Sequence, residues 1–304
     1  MPSLAVPRWN STLLLLVLAL GCGQPDTRSG ERLDALPAMA VWSYRDLTGS
    51  EREQAAFFEF AAGHGVKELF LGGADLLPRR ADALAEFLAA AQRRGIGVSL
   101  VLGRAAWIRP DQRPAALQAV LAVRDFDLAQ GRAGRTRLTA LQLDVEPHAL
   151  PDWGRDGTRL SGEYLDLLDV LRGELVCGPP LHVDIPVWWH GRPVKRRGQT
   201  RPLSDWVIQL ADRTVLMDYR NKVGAILDGA EGPLAAADAL GRPVLVGLAV
   251  HCDRNQDNAV ISFCKLGEAR FQKVARQAET RLSRHRSYAG MAVFTYEDWL
   301  ILKR

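Results

Sequence analysis

Short apolar runs alternate with longer amphipathic segments along most of the chain. Each run is long enough for one buried strand, and the segments between them have apolar positions at helical spacing. Eight runs are predicted as strands: 38–44, 66–73, 97–103, 139–146, 181–189, 214–219, 243–250 and 290–295. Strands that are each joined to the next by a helix predict a parallel sheet, and eight is the number that closes an α/β barrel.

The helical segments strengthen this prediction because two of them have clear ends. Ser50 is placed as the N-cap of the first helix, with Glu53 three positions later as in a capping box, and Gly95 stops the second helix. An open doubly wound sheet is the alternative, but no GxGxxG follows the first strand. The sequence therefore predicts an α/β protein with a single (β/α)8 TIM barrel over residues 37–304.

A pair of acids marks the end of the fourth predicted strand. Asp144 and Glu146 are two positions apart, so on a strand they face the same side, and Pro147 closes the run. Enzymes with α/β barrels place their chemistry at this end of the strands. Two interpretations remain open from the pair alone: a catalytic pair, or one acid that caps the next helix beside another that bonds a loop.

Acidic and aromatic residues also follow the other predicted strands. Carboxylates can transfer protons and bind hydroxyl groups, and tryptophan faces can stack on sugar rings, so these residues predict a carbohydrate site. The predicted substrate-binding residues are Trp42, Asp184, Trp188, Trp189, Asp218, Arg220, Glu297 and Trp299. The expected partner is a poly- or oligosaccharide.

Two short motifs resemble those of family 18 glycoside hydrolases, the chitinases and endo-β-N-acetylglucosaminidases. Asp144-Val145-Glu146 matches the last three positions of the family's DxxDxDxE motif, and Met217-Asp218-Tyr219 matches the first three of its Met-x-Tyr-Asp pattern. The resemblance implies that Glu146 is the general acid, that Asp144 orients the 2-acetamido group of the sugar and that Tyr219 is a hydrogen-bond partner of this group. It implies no cofactor and no metal.

The chain also departs from the family. Thr139 and Gln142 stand where the motif has its first two aspartates, Arg220 replaces the aspartate after the tyrosine, and Phe294 replaces a tryptophan. Two alternatives therefore stay open beside substrate-assisted hydrolysis. In one, Asp184, Asp218 or Glu297 serves Glu146 as a second carboxylate; in the other, the barrel binds glycans without catalysis.

A metal site is a weaker interpretation of the same acids. Asp144, Glu146, His148 and Asp184 could supply ligands, but His148 follows Pro147 and need not face the acids.

The distribution of charge argues against a nucleic acid as the partner. The 39 basic and 35 acidic residues are spread along the chain and contain no long basic run, which gives nucleic-acid binding no support.

The N-terminus predicts export and a lipid anchor. Arg8 precedes the apolar run 13–20, which is too short to span a bilayer and fits the core of a signal peptide. Residues 18–22, LALGC, resemble the bacterial lipobox, so residues 1–21 are predicted as a signal peptide and Cys22 as the lipidated first residue. The polar residues 22–36 then form a tether, and the protein lies in the bacterial cell envelope, anchored to a membrane outside the cytoplasm.

Two later cysteines are close enough in sequence to share one loop. Cys252 and Cys264 follow the seventh predicted strand, and an exported chain meets oxidising conditions. The sequence predicts a disulfide between them, over the mouth of the barrel.

Overall fold

Eight parallel strands close into a barrel in the computed structural model, which describes residues 39–73, 76–252 and 260–303. The predicted (β/α)8 fold is confirmed. The barrel strands are β1 (Met39–Ser43), β2 (Val66–Gly72), β3 (Gly97–Leu102), β4 (Ala140–Leu143), β5 (Leu181–Pro186), β8 (Arg213–Met217), β9 (Val244–Ala249) and β10 (Tyr288–Phe294). β6 (Pro193–Arg196) and β7 (Gln199–Pro202) form a separate antiparallel hairpin.

Helices follow the barrel strands, and none of the described ones is long and apolar enough to cross a membrane. They are α1 (Glu51–His64), α2 (Leu76–Gln92), α3 (Arg113–Arg132), α4 (Trp153–Glu174), α5 (Leu203–Leu210), α6 (Val223–Leu240), α7 (Glu268–Leu282) and α8 (Tyr296–Leu300). The Ser50 side chain accepts a hydrogen bond from the Glu53 amide at the start of α1, which confirms the predicted N-cap. The predicted signal peptide, tether and Cys22 lie outside the described residues.

Three local features differ from the sequence prediction. β5 ends at Pro186, which is the N-cap of the 3-10 turn Val187–Gly191. Trp188 and Trp189 therefore lie on a turn instead of a strand. The β6–β7 hairpin and the five-residue helix α8 are too short to show a clear period. The 3-10 turn and α8 hold three of the displaced site residues, Trp189, Glu297 and Trp299.

The core has two layers, one between the barrel and its helices and a smaller one inside the barrel. The inner layer contains Trp42, Phe70, Val101, Val215 and Leu245, all nearly inaccessible to solvent. Val101 pairs with Gln142 in the register of β3 and β4, and side chains alternate along a strand. Gln142 and the residue two positions later, Asp144, therefore face the barrel interior.

A charged cluster lies on the inner face at the N-terminal end of the barrel. Glu68 on β2 accepts hydrogen bonds from Ser99 on β3 (2.8 Å) and from Arg213 on β8 (2.5 Å). Both members of the ion pair are largely buried. We call Glu68, Ser99 and Arg213 the floor cluster. Its negative charge has a positive partner, which is the condition under which a buried carboxylate is tolerated.

Candidate active site

Asp144 lies just beyond the end of β4, at the C-terminal mouth of the barrel. Its amide donates to the carbonyl of Leu102 (2.9 Å), which continues the β3–β4 pairing past the strand. Gly103 makes this close approach possible, because a Cβ there would overlap the carbonyl oxygen of Asp144. Glu146 follows two residues later, before the 3-10 turn Pro147–Ala149.

We call Asp144, Glu146 and Asp184 the mouth acids. Asp184 on β5 is the most buried of them and is 1% exposed. Its two oxygens accept hydrogen bonds from Gln142 Nε2 (2.8 Å) and Trp42 Nε1 (3.4 Å). Gln142 stands where the family 18 motif has an aspartate, and here its amide serves Asp184. Asp144 Oδ1 is buried and has no hydrogen-bond partner in the described part of the chain.

The mouth acids are held in a state that favours their protonated forms. Burial raises the pKa of Asp144 to about 6. Burial, together with the nearby Asp144 charge, raises the pKa of Glu146 to about 7. Burial and the charges of Asp144 and Glu146 raise the pKa of Asp184 well above its ordinary value, against the hydrogen bonds that lower it. No lysine or arginine within the described ranges forms an ion pair with these acids. Desolvation and like-charge repulsion therefore act without a compensating cation.

Two tyrosines add hydrogen-bond donors to this mouth. Burial, followed by the charges of Asp144 and Asp184, raises the pKa of Tyr219 well above its ordinary value. Burial and the same acids also raise the pKa of Tyr44. Both phenols therefore stay protonated at neutral pH. Phe294, at the end of β10, contacts Tyr219 with ring centroids 5.6 Å apart and Tyr44 at 6.2 Å.

An aromatic wall stands beside Glu146 on the β4–β5 side. His148 Nε2 lies 3.5 Å from Glu146 Oε1, and burial lowers the pKa of His148. The His148 ring meets Trp188 edge-on with centroids 5.3 Å apart. Trp188 is 44% exposed, so part of its ring is free to meet a ligand next to the Glu146 carboxyl. His148, which the sequence did not require to face the acids, thus lies beside one of them.

A cavity of about 440 Å³ opens on the other side of Asp144. It lies between the ends of β1, β2 and β3, and its volume is in the range of small-molecule sites. Its lining residues are Tyr44, Asp46, Gly72, Gly73, Leu76, Arg79, Arg80, Val101, Leu102, Gly103 and Asp144. Asp144 therefore belongs both to the acid group and to a space that a ligand can enter.

The structure brings together only some of the predicted site residues. Asp144, Glu146, Asp184 and Tyr219 interact electrostatically with one another around the mouth. Trp42 is 1% exposed and reaches this group through its hydrogen bond to Asp184. It supports an acid from below and presents no stacking face.

Glu297 lies beside the mouth but is held by the end of β1, and Trp299 is turned away from the mouth, contrary to the predicted contacts with substrate. Glu297 Oε1 accepts hydrogen bonds from the Ser43 hydroxyl (2.5 Å) and the Tyr44 amide (3.0 Å), so this acid fixes the end of β1. Trp299 is 2% exposed and packs against Phe60 with centroids 5.2 Å apart, since α8 turns it toward α1. Both residues stabilise the barrel wall.

Trp189 and Asp218 are also turned into the wall, and this corrects their predicted contacts with substrate. Trp189 is fully buried and packs on Tyr164 at 5.3 Å. Asp218 is fully buried against α6, where a Cβ on Gly229 would lie 2.9 Å from Asp218 Oδ1. Burial raises the pKa of Asp218 to about 7, and the nearby Arg220 opposes this shift. Arg220 donates to the Tyr219 carbonyl (3.0 Å).

The disulfide predicted after β9 is confirmed. Cys252 and Cys264 form a disulfide, with their Cα atoms 5.3 Å apart. Among the described residues, no group of three or more His, Cys, Asp or Glu side chains is arranged to hold a metal ion.

No protein-family model and no curated protein matches the chain, but solved structures do. A family 18 chitinase from Pseudoalteromonas aurantia matches 85% of this chain and 94% of its own, with a TM-score of 0.53 and 11% identity. A chitinase from Bacteroides thetaiotaomicron matches 87% of this chain and 91% of its own, with a TM-score of 0.51 and 10% identity. The Bacillus cereus spore cortex-lytic enzyme SleL matches 87% of this chain and 73% of its own, with a TM-score of 0.50 and 11% identity. At such identities the likeness shows the fold, a TIM barrel like that of these proteins.

Proposed function

We propose that the protein is a glycoside hydrolase that acts on a poly- or oligosaccharide, with Glu146 as the general acid. The observation that carries this proposal is the pKa of Glu146, raised to about 7 at the rim of an accessible mouth. A carboxyl group that keeps its proton near neutral pH can give it to a glycosidic oxygen. The fold shared with the chitinases supports the same class of reaction.

Proton transfer from Glu146 to the leaving oxygen would accompany cleavage of the bond between this oxygen and the anomeric carbon. In the family 18 mechanism, the carbonyl oxygen of the sugar's own 2-acetamido group then attacks that carbon. Asp144 would orient the acetamide, and the phenol of Tyr219, which stays protonated, would donate to its oxygen. Water would later open the cyclic intermediate while the Glu146 carboxylate accepts the proton.

A second carboxylate offers another route at the same place. Asp184 interacts electrostatically with both Asp144 and Glu146. A direct attack by a carboxylate needs the acids close together, whereas a water-mediated attack needs them farther apart. Of the two acids, Asp144 fits a nucleophile better, because it lines the cavity, while Asp184 is fully buried. Asp218 does not fit this role because it is fully buried against α6. Glu297 does not fit it because its Oε1 is engaged by Ser43 and the Tyr44 amide.

Glycan binding without catalysis is the competing function. It is favoured by Gln142, which serves Asp184 and leaves Asp144 Oδ1 without a partner. An aspartate at position 142 could instead share a proton with Asp144. The two functions differ in one outcome, because a binding protein forms no product.

The test is a screen of the soluble barrel domain against chromogenic glycosides and polysaccharides, run with the wild-type protein and Glu146→Gln. Glutamine keeps the size of the side chain but cannot deliver the proton. We expect product from the wild-type protein, a rate lowered by about 10²–10⁴-fold in the variant, and similar glycan affinities by calorimetry. A variant with the wild-type rate would remove Glu146 from the mechanism. Binding without product in the wild-type protein would favour the competing function.

We also propose that the protein is attached to a membrane of the bacterial envelope through lipid on Cys22. The lipobox-like residues 18–22 support this proposal. Cleavage before Cys22 would make it the first residue of the mature protein, and more than one acyl chain there would give stable anchoring. Radiolabelled palmitate should enter the wild-type protein in cells and should not enter Cys22→Ala. Equal labelling of the two proteins would place the lipid elsewhere, and no labelling of the wild-type protein would contradict the anchor.

A further inference from the structure

Two adjacent arginines line the cavity beside Asp144, and only one of them is neutralised. Arg80 forms an ion pair with Asp46, and its guanidinium fills the space next to Gly49, where a Cβ would overlap it. Arg79 is exposed to the cavity and forms neither an ion pair nor a hydrogen bond within the described ranges of the chain. Arg80 thus holds the first turns of α2 to the loop after β1, whereas Arg79 has no such partner among the described residues.

The other charged groups around this cavity do not neutralise Arg79. Asp46 is paired with Arg80. Burial raises the pKa of Asp144, and this carboxyl forms no ion pair with Arg79 in the described part of the chain. Arg104 directly follows the lining residue Gly103, is exposed, and has no ion pair in the part of the chain that the structure describes. The cavity therefore has an acid at one end and, at the other, arginines that no described residue neutralises.

We propose that this cavity binds a sugar that bears a carboxylate and that Arg79 recognises this group. A guanidinium offers parallel N–H donors that match a carboxylate, and the partly enclosed position at the cavity wall makes the pairing stronger than at an open surface. The inference rests on the proposed function, because Asp144 is shared between the cavity and the acids that would act on the glycan. It adds the substrate class: acidic glycans, with the charged sugar next to the reacting one.

The test is calorimetric binding in a Glu146→Gln background, so that turnover does not disturb the measurement. The probes are tetragalacturonate and its methyl ester, which differ in charge, and a disaccharide of N-acetylglucosamine and N-acetylmuramic acid beside di-N-acetylglucosamine. The first pair places the carboxylate on the sugar ring, and the second places it on a lactyl arm. We expect one acidic probe to bind at least about 10-fold more tightly than its neutral counterpart, as expected for hydrogen bonds to a charged group.

Arg79→Gln should remove this preference, and Arg79→Lys should keep part of it. Arg132→Gln is the matched control, since Arg132 is an exposed arginine at the far end of α3, toward the opposite face of the barrel, and it should change nothing. Equal binding of acidic and neutral probes, no binding of any probe, or a preference that persists in Arg79→Gln would overturn the inference. A preference that depends on Arg79, with no product from the wild-type protein on any glycan, would uphold the inference and reject hydrolysis. Hydrolysis of neutral glycans without dependence on Arg79 would uphold hydrolysis and reject the inference.

Discussion

The two ends of the barrel interior contain buried acids in opposite electrostatic settings. At the floor cluster, Glu68 is paired with Arg213 and bonded by Ser99. At the mouth, Asp144 and Asp184 lie near each other and near Glu146, they form no ion pair with a described residue, and the pKa of each is raised by burial. Pairing a buried acid makes it stable, whereas leaving it without a cation keeps it able to hold and release a proton.

The comparison indicates that the barrel accepts buried, unpaired acids at its mouth and not at its floor. Both ends are built from the same alternation of inward side chains on parallel strands, so the backbone does not distinguish them. The two ends differ because Arg213 on β8 pairs with the acid of the floor cluster. No described lysine or arginine pairs with the acids of the mouth. We therefore expect the ion pair to stabilise the floor and the ionised acids to destabilise the mouth.

The largest effect on stability is expected at the floor. Arg213→Met removes the cation and leaves Glu68 buried without its partner, which should cost about 3–5 kcal/mol of unfolding free energy. Chemical denaturation at pH 7 measures this loss. The double variant with Glu68→Gln should recover much of the stability, because it removes the stranded charge. A single variant as stable as the wild-type protein would show that the ion pair contributes nothing.

Neutralising a mouth acid should have the opposite sign. The folded-state pKa of Asp144 is raised from 3.8 to about 6, so the protonated acid favours folding below about pH 4. This contribution is lost as the pH rises through about 6. Asp144→Asn should therefore match the wild-type protein at pH 4 and exceed its stability at pH 8 by on the order of 1–3 kcal/mol. Thermal unfolding across this range is the measurement.

Glu68→Gln is the control for that experiment. It neutralises an acid of the floor cluster, where Arg213 would lose its partner, and it should lower stability at pH 8. If Asp144→Asn also lowered stability at pH 8, the mouth acid would be stabilising and the contrast between the two ends would be wrong. The same Asp144→Asn variant should turn over glycans more slowly than the wild-type protein.

The smallest effect is expected from the hydrogen bond between Trp42 and Asp184. Its length of 3.4 Å indicates a weak interaction, and Trp42→Phe removes the donor while keeping an aromatic ring in the inner core. The variant should lose less than about 1.5 kcal/mol. The pKa of Asp184 should rise further, because this bond lowers it in the wild-type protein. A titration of Asp184 that moves to lower pH would contradict the role of Trp42.

The barrel could be predicted from the sequence because each element follows its own period. The pairing of Asp144 with Glu146 followed from the same rule, since residues two apart share a face of a strand. That rule also explains one error. Asp218 and Tyr219 are neighbours, so only one of them can face the mouth, and the structure turns Asp218 toward Gly229. Alternation alone could have separated them.

Other parts of the site could not be read from spacing. Trp299 lies in a five-residue helix that turns it toward α1, and so short a helix has no periodic signal. Arg79 belongs to the first turns of α2, which begins at Leu76, before the predicted start at residue 80. Its position at the cavity depends on the ion pair of Arg80 with Asp46, a contact between segments 34 residues apart.

The protonation of Glu146 is the central claim, and infrared difference spectroscopy measures it without any substrate. The spectrum of the wild-type protein minus that of Glu146→Gln, recorded from pH 4 to 9, contains the carboxyl band of Glu146, and the same difference in an Asp184→Asn background removes the contribution of Asp184. We expect the protonated band to disappear with a midpoint near pH 7, as the pKa of about 7 requires. A midpoint near 4.5, the ordinary value for a glutamate, would mean that Glu146 is ionised at neutral pH and would contradict its role as the general acid.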